Sequence, residues 1–151
     1  MRGIHHSAIC VRDVEASLRF WSDGLGLQVL MDERFDGDWP TLLRAPSSRL
    51  RAVFLGDPAH AEGGIVELVD LGEVAPGPPT DGPASGGFLL LSVMVDVAAA
   101  LERLGELGLG GTPRRTEVAG VAMAVVTDPD GVLVELVDTG AAANLERLTH
   151  R

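Results

Sequence analysis

A five-residue string written twice constrains this chain more than any other feature. Val66-Glu67-Leu68-Val69-Asp70 recurs unchanged as Val134-Glu135-Leu136-Val137-Asp138. Ahead of each copy lies a second matching pair, AICVRDVEASLRFWSDGLGL at residues 8–27 and SVMVDVAAALERLGELGL at residues 92–109. Both run as an apolar strand, an Asp-Val step, leucines at helical spacing and a Gly-Leu ending. The same elements in the same order twice predict one supersecondary unit built twice. At 151 residues the chain suits one domain made of two half-size modules sharing a core.

Periodicity sorts the elements within each half. Residues 4–12 read as a strand, and Asp13 as the N-cap of a helix with Val14, Leu18 and Trp21 on one face. That helix should run to about Asp23, where Gly24 and Gly26 stop it. Strands follow at 27–35, 50–56 and 64–71. The second half repeats the order: strand 88–95, helix 97–107 closed by Gly108, then strands near 114–118, 121–127 and 132–138. Asp128-Pro129-Asp130-Gly131 is a turn signal between the last two. The prolines and glycines of APGPPTDGPASGG, residues 75–87, read as a linker, and residues 141–149 as a short terminal helix. The expected fold is α+β: two tandem βαβββ modules, 1–74 and 88–140, form a curved mixed sheet around a central cavity, and a tail follows at 141–151.

Charge and composition remove several function classes. A net charge of −10 with 12 Lys and Arg argues against a nucleic-acid partner, whose phosphates take their affinity from cations. The single cysteine, Cys10, excludes an internal disulfide and a cysteine-rich zinc site, and fits a reducing compartment. The N-terminal MRGIHHSAICVRD is too broken by charge for a signal peptide. Apolar runs are strand-sized, so no membrane span is expected, and the cytoplasm is the expected location.

Alternation then assigns faces, because neighbouring strand side chains point to opposite sides of a sheet. Val66 and Leu68 need a helix to cover them, which turns Glu67 and Val69 toward the concave side, and Glu135 repeats this. With Ile9 and Val11 under the helix, His6, Ala8 and Cys10 line the concavity. A carboxylate among apolar neighbours is costly unless paired, protonated or bound to a cation, which points to a metal or a catalytic base. The structural alternative is a pair of buried glutamates satisfied by arginines such as Arg114 or Arg115.

Three stretches in this order resemble one known group: His5-His6-Ser7-Ala8-Ile9-Cys10-Val11-Arg12-Asp13; Phe20-Trp21 with Leu25-Gly26-Leu27; and Asp128-Pro129-Asp130-Gly131 leading into Val134-Glu135-Leu136. The chain is similar along its length to the vicinal oxygen chelate superfamily, which spans glyoxalases, epimerases, extradiol dioxygenases, fosfomycin-resistance enzymes and bleomycin-binding proteins. The resemblance implies metal ligands on the first and last strand of each module. Carried over, these fall on His6, Glu67 and Glu135. The fourth, commonly a His, falls on Leu90 when faces are matched, or on Leu89 in an ungapped match from Asp96, and neither leucine binds metal. Three ligands still suit a divalent cation, Zn, Mn, Fe, Co or Ni. The resemblance therefore implies a metal-dependent isomerase, epimerase or lyase, with Glu67 or Glu135 moving a proton. The alternatives are a metal-free binder that sequesters a small, antibiotic-like molecule, and an extradiol-type dioxygenase, which usually needs a second histidine in its triad. It also implies a small-molecule ligand and a homodimer.

Other residues carry weaker expectations. Trp39, in a polar loop after the second strand, can cap a substrate. Leu90, Met94 and Met123 would give a largely apolar lining, with Cys10 beside them unless it is a buried inert thiol. Trp21 reads as core, and His60 and His150 as solvated. His5 should point away from His6, and Arg49 and Arg51 should lie on a solvated strand face or hold an anionic group.

Overall fold

The computed structural model describes residues 3–75, 77, 87–118 and 120–139. Most of the expected linker and the expected helix at 141–149 lie outside these residues. Contacts divide the chain into two compact units, Met1–Gly77 and Pro78–Arg151.

In the first unit, β1 (His6–Cys10), β2 (Gln28–Asp36), β3 (Arg49–Gly56) and β4 (Ile65–Asp70) form a sheet of order β1-β4-β3-β2. Only the β1–β4 pair is parallel. The second unit repeats this with β5 (Leu91–Val95), β6 (Gly110–Val118), β7 (Val121–Thr127) and β8 (Leu133–Asp138), in the order β5-β8-β7-β6. The duplicated pentapeptide thus supplies the central strand beside each parallel edge strand. The result is two four-stranded mixed sheets, each the βαβββ unit the repeat predicts.

The duplicated Asp-Val step starts both crossover helices. Asp13 Oδ1 accepts from the backbone N–H groups of Glu15 and Ala16 at 3.0 and 3.1 Å, opening α1 (Val14–Leu18). Asp96 Oδ1 accepts from Ala99 N–H at 2.9 Å, opening α3 (Val97–Glu106). Each cap satisfies donors that the first turn leaves unpaired. The helix after Asp13 is not α throughout: it continues as a π-helical stretch, Arg19–Gly24, with Leu25 N–H donating to Phe20 O at 3.0 Å. α3 closes as a Schellman motif, Gly108 at φ +66° and Leu109 N–H donating to Leu104 O at 2.8 Å.

Each helix covers one sheet face, and the core sits between. In the first unit Val11, Phe20, Trp21, Val53, Leu55 and Leu68 are fully buried there. In the second, Ala100, Leu104, Ala124, Val126, Val134 and Leu136 play that part. The alternate positions of the same strands point to the opposite face, the open face, away from α1 and α3.

Some local structure departs from the sequence reading. A short helix, α2 (Trp39–Leu43), stands where a loop was expected. Its Pro40 reads as a breaker in sequence, but proline is compatible with a first helical turn, whose N–H groups have no partner to lose. Asp38 caps it, donation coming from Thr41 N–H at 3.3 Å. β6 begins at Gly110 rather than near 114, with a register shift between Gly110 and Arg114. β5 begins only at Leu91. Among the described residues no helix is long and apolar enough to cross a membrane.

Candidate functional site

Pairing registers place the expected site residues without appeal to alternation alone. Glu67 stands between Ala8 on β1 and Phe54 on β3, and Phe54 pairs in turn with Met31 on β2. The next row along the strands is Cys10, Val69 and Ala52. In the second unit the matching rows are Ser92, Glu135 and Val125, then Met94, Val137 and Met123. Glu67 and Glu135 thus occupy equivalent places on two open faces. Since Ala8 is matched by Ser92, the position equivalent to His6 is Leu90, one residue ahead of β5. The register decides between Leu90 and Leu89.

His6 and Glu67 meet. Nε2 of His6 lies 3.3 Å from Glu67 Oε2, the imidazole 41% and the carboxylate 15% exposed. The partner of Glu67 is therefore this histidine rather than an arginine. Burial pushes the Glu67 carboxyl above the usual carboxylate range, with the positive character of His6, then of His5, opposing that shift.

His5 corrects the sequence reading. Its Nδ1 lies 2.8 Å from His6 Nδ1, and its ring meets that of His6 edge-on at 5.1 Å. Alternation would have sent it to the other side, but the strand begins at His6, and His5, whose carbonyl accepts from Ile65 N–H at 3.2 Å, turns its ring back to that of His6. Phe54 completes a ring cluster, 5.6 Å from the His6 centroid and 6.2 Å from that of His5. Nothing in the spacing of residues 5, 6 and 54 announces this grouping.

Two ligands of one divalent ion, each bonded at about 2.1 Å, stand roughly 3 Å apart. The 3.3 Å between Nε2 and Oε2 fits two adjacent ligand positions, and one imidazole with one carboxylate is a donor set such ions accept. Among the described residues no three His, Cys, Asp or Glu side chains stand together as a complete ligand set.

The remaining expected residues sort as follows. Trp39 packs from α2 onto the open face of the first sheet, against the cluster of Leu50, Ala52 and Val69 that Met31, Phe54 and Leu71 also cover. Its indole N–H donates to Phe35 O at 3.3 Å. Cys10 is exposed on the open face, not the buried thiol that is a lone strand cysteine's usual fate. Met94 is 52% exposed on the equivalent face of the second sheet, and Met123 is half-buried. Trp21 is core, as expected.

Arg51 is not an anion anchor. It lies on the helix-covered side, bidentate to Asp32 at 2.8 and 2.7 Å and bound to Glu15 at 3.1 Å. Arg49 donates to Asp36 at 2.8 Å on an exposed edge. A cleft of about 440 Å³ opens there, lined by Phe35, Leu50 and Leu71 together with Arg49 and Asp36. Two of the cations lining it, Arg49 and Arg51, are already matched by Asp36 and Asp32.

Comparison with known proteins agrees with this architecture. The chain is 34% identical over 145 residues to the lactoylglutathione lyase-like protein terB of Aspergillus terreus, covering 89% of this chain and 74% of that protein. The trypanothione-dependent glyoxalase I of Leishmania major superposes with a TM-score of 0.67 at 23% identity, covering 100% of both chains. A mutant of the fosfomycin-resistance protein FosX from Listeria monocytogenes, solved with Mn(II) and 1S,2S-dihydroxypropylphosphonic acid, gives a TM-score of 0.63 at 15% identity, over 96% of this chain and 98% of that one. The family model spans residues 3–136, nearly the whole duplicated region. The chain belongs to the Glyoxalase/Bleomycin resistance protein/Dioxygenase superfamily, the vicinal oxygen chelate fold.

Proposed function

We propose that the chain is a divalent-metal-dependent enzyme of the lyase, isomerase or epimerase kind, acting on a small, largely apolar molecule with neighbouring oxygens. The observation that carries this reading is the approach of His6 Nε2 to Glu67 Oε2 at 3.3 Å on an open sheet face. His6 and Glu67 would supply two ligands and Glu135, their counterpart in the second unit, a third. Zn, Mn, Fe, Co or Ni suits one imidazole and two carboxylates. A bound cation would polarise a substrate oxygen and stabilise the oxyanion that forms when a neighbouring C–H loses its proton.

The chain's own residues would then handle the proton. Glu67, its affinity for a proton raised by burial, is suited to take one at a carboxylate oxygen and return it elsewhere on the substrate. Glu135 would serve the same role from the second unit. Trp39, Leu90, Met94, Met123 and Cys10 would contact the apolar part of the substrate. The name of the Aspergillus relative supports a lyase-type reaction, and the Mn(II) bound by the Listeria protein supports a metal-holding fold. A homodimer in the cytoplasm completes the reading.

One observation favours a second reading, a metal-free binder that sequesters its ligand. Leu90 occupies the place that His6 holds in the first unit, leaving the second unit with one donor where the first has two. Metal analysis of untagged protein separates the readings. One equivalent of divalent metal per chain, lost in His6→Ala while circular dichroism is unchanged, is the expected result. Protein that takes up none of the five ions under supplementation refutes the enzyme reading.

A further inference from the structure

The chain contains only 2 Trp, 4 Phe and no Tyr. Phe20 and Trp21 are spent in the helix-covered core. Of the other four, three gather on the open face of the first sheet: Phe54 beside Glu67, Phe35 opposite Leu50, and Trp39 over the Leu50–Ala52–Val69 cluster. The strands of the second unit carry no aromatic residue at all, and their open face offers Met94, Met123, Val125 and Val137 instead. In a twice-built fold this asymmetry is a specialisation of one copy.

The Trp39 helix is part of that specialisation. β2 and β3 are joined by residues 37–48, which carry α2, whereas β6 and β7 are joined by residues 119–120. The extra segment turns back onto the open face. Gly37 seats the indole: a Cβ there would lie 2.9 Å from Trp39 Cε2 and 3.1 Å from Nε1. With the Trp39 N–H donating to Phe35 O, the ring plane is held from two directions. At the other end of the same face the Phe54 and His6 rings are tilted by 37° at 5.6 Å. Between these aromatic ends the residues toward the β1 edge are small, with Ala8 and Cys10 both exposed. Flat rings stack on such surfaces at low entropic cost, and a puckered saturated ring gains less from them.

Resting on the reading of this face as the ligand site, we infer that its ligand is a flat, conjugated ring bearing an oxygen substituent. The ring lies over Ala8 and Cys10 against Phe54 and Trp39, and its oxygen is turned to the His6–Glu67 pair. Aliphatic oxygenated molecules of the same size are the disfavoured class.

Two probes with one carbon skeleton and one hydroxyl separate these classes: 2-naphthol and decahydro-2-naphthol, titrated calorimetrically into the full-length protein. An aromatic pair is worth about a two- to twelvefold change in affinity, so two such contacts predict naphthol binding about fivefold to a hundredfold tighter. Trp39→Leu and Phe54→Leu should each remove roughly two- to twelvefold of that preference, with Phe88→Leu as a control that leaves it intact. Trp39 lies outside the helix-covered core, so its variant tests the inference even if the Phe54 variant folds poorly. Equal affinities in the wild type, or a preference unchanged in Trp39→Leu, overturns it. Metal content measured on the same samples reports separately on the enzyme reading.

Discussion

Replacing Arg51 by methionine should cost stability and leave ligand binding alone. Arg51 reaches across the first sheet to Asp32 with both Nε and Nη2, at 2.8 and 2.7 Å, while Nη1 reaches Glu15 at 3.1 Å. Its side chain is 19% exposed, that of Asp32 38% and that of Glu15 74%. A bidentate charge-assisted pair with one half-shielded partner is worth about 1–2 kcal/mol. The Glu15 contact, screened by water, adds a few tenths of a kcal/mol. The expected loss is about 2 kcal/mol, or a Tm lower by about 4–8 °C for a chain of this size. Asp32 is open enough to hydrate once abandoned, so the larger penalty of a stranded buried charge does not apply. The Arg51 hydrogen bonds hold the Asp32 carboxyl below its ordinary value. A depressed carboxyl contributes stability above its unfolded titration and loses it as pH falls through the folded one. The gap between wild type and variant should therefore be full at neutral pH and shrink in acid, below about pH 4. Urea titrations of wild type, Arg51→Met, Asp32→Asn and the double variant would measure it. A coupling below about 0.5 kcal/mol, or unchanged stability with weakened ligand binding, would show that Arg51 serves an anionic ligand instead.

Two further outcomes follow from the same structure. Glu67→Gln removes a carboxyl whose proton affinity burial has raised. The stability that wild type draws from the protonated form is complete below the unfolded value and is lost as pH rises through the folded one. The stability of wild type relative to the variant should therefore fall from about pH 4.3 upward, by about 1.4 kcal/mol for each pH unit separating the two titrations. Urea unfolding at closely spaced pH values in EDTA checks this, and a gap that stays flat sinks it. Leu68→Ala and Leu136→Ala empty equivalent, fully buried positions in the two units. Each should cost about 2–5 kcal/mol, and a cost below about 1 kcal/mol at either site would contradict the packing described for that unit.

Much of the fold was legible because it is local or repeated. Two Asp-Val steps cap two helices, since a carboxylate one residue before a helical run can reach the unpaired N–H groups of its first turn. Two VELVD strings become two central strands, since Val-x-Leu alternation buries one face under a helix and exposes Glu67 and Glu135 on the other. The placement of His6 on the Glu67 face followed from the same pleat. His5 did not, because it stands one residue ahead of the strand, where its ring turns back onto that of His6. Nor did α2, because Pro40 and Gly37 signal a break equally well whether the chain turns away or folds back.

The sequence by itself determined the twofold βαβββ architecture, the helix caps, the helix-covered cores and the face to which each glutamate belongs. These are consequences of period and chemistry within ten or so residues. Only the tertiary structure decided the rest. Strand register made Leu90 rather than Leu89 the counterpart of His6, brought Nε2 to 3.3 Å from Oε2 across sixty residues, and gave Arg51 to Asp32 and Glu15. Packing laid Trp39 on the Leu50–Ala52–Val69 cluster of the first sheet. Register and packing are settled by which surfaces exclude water together, and no residue carries that information alone.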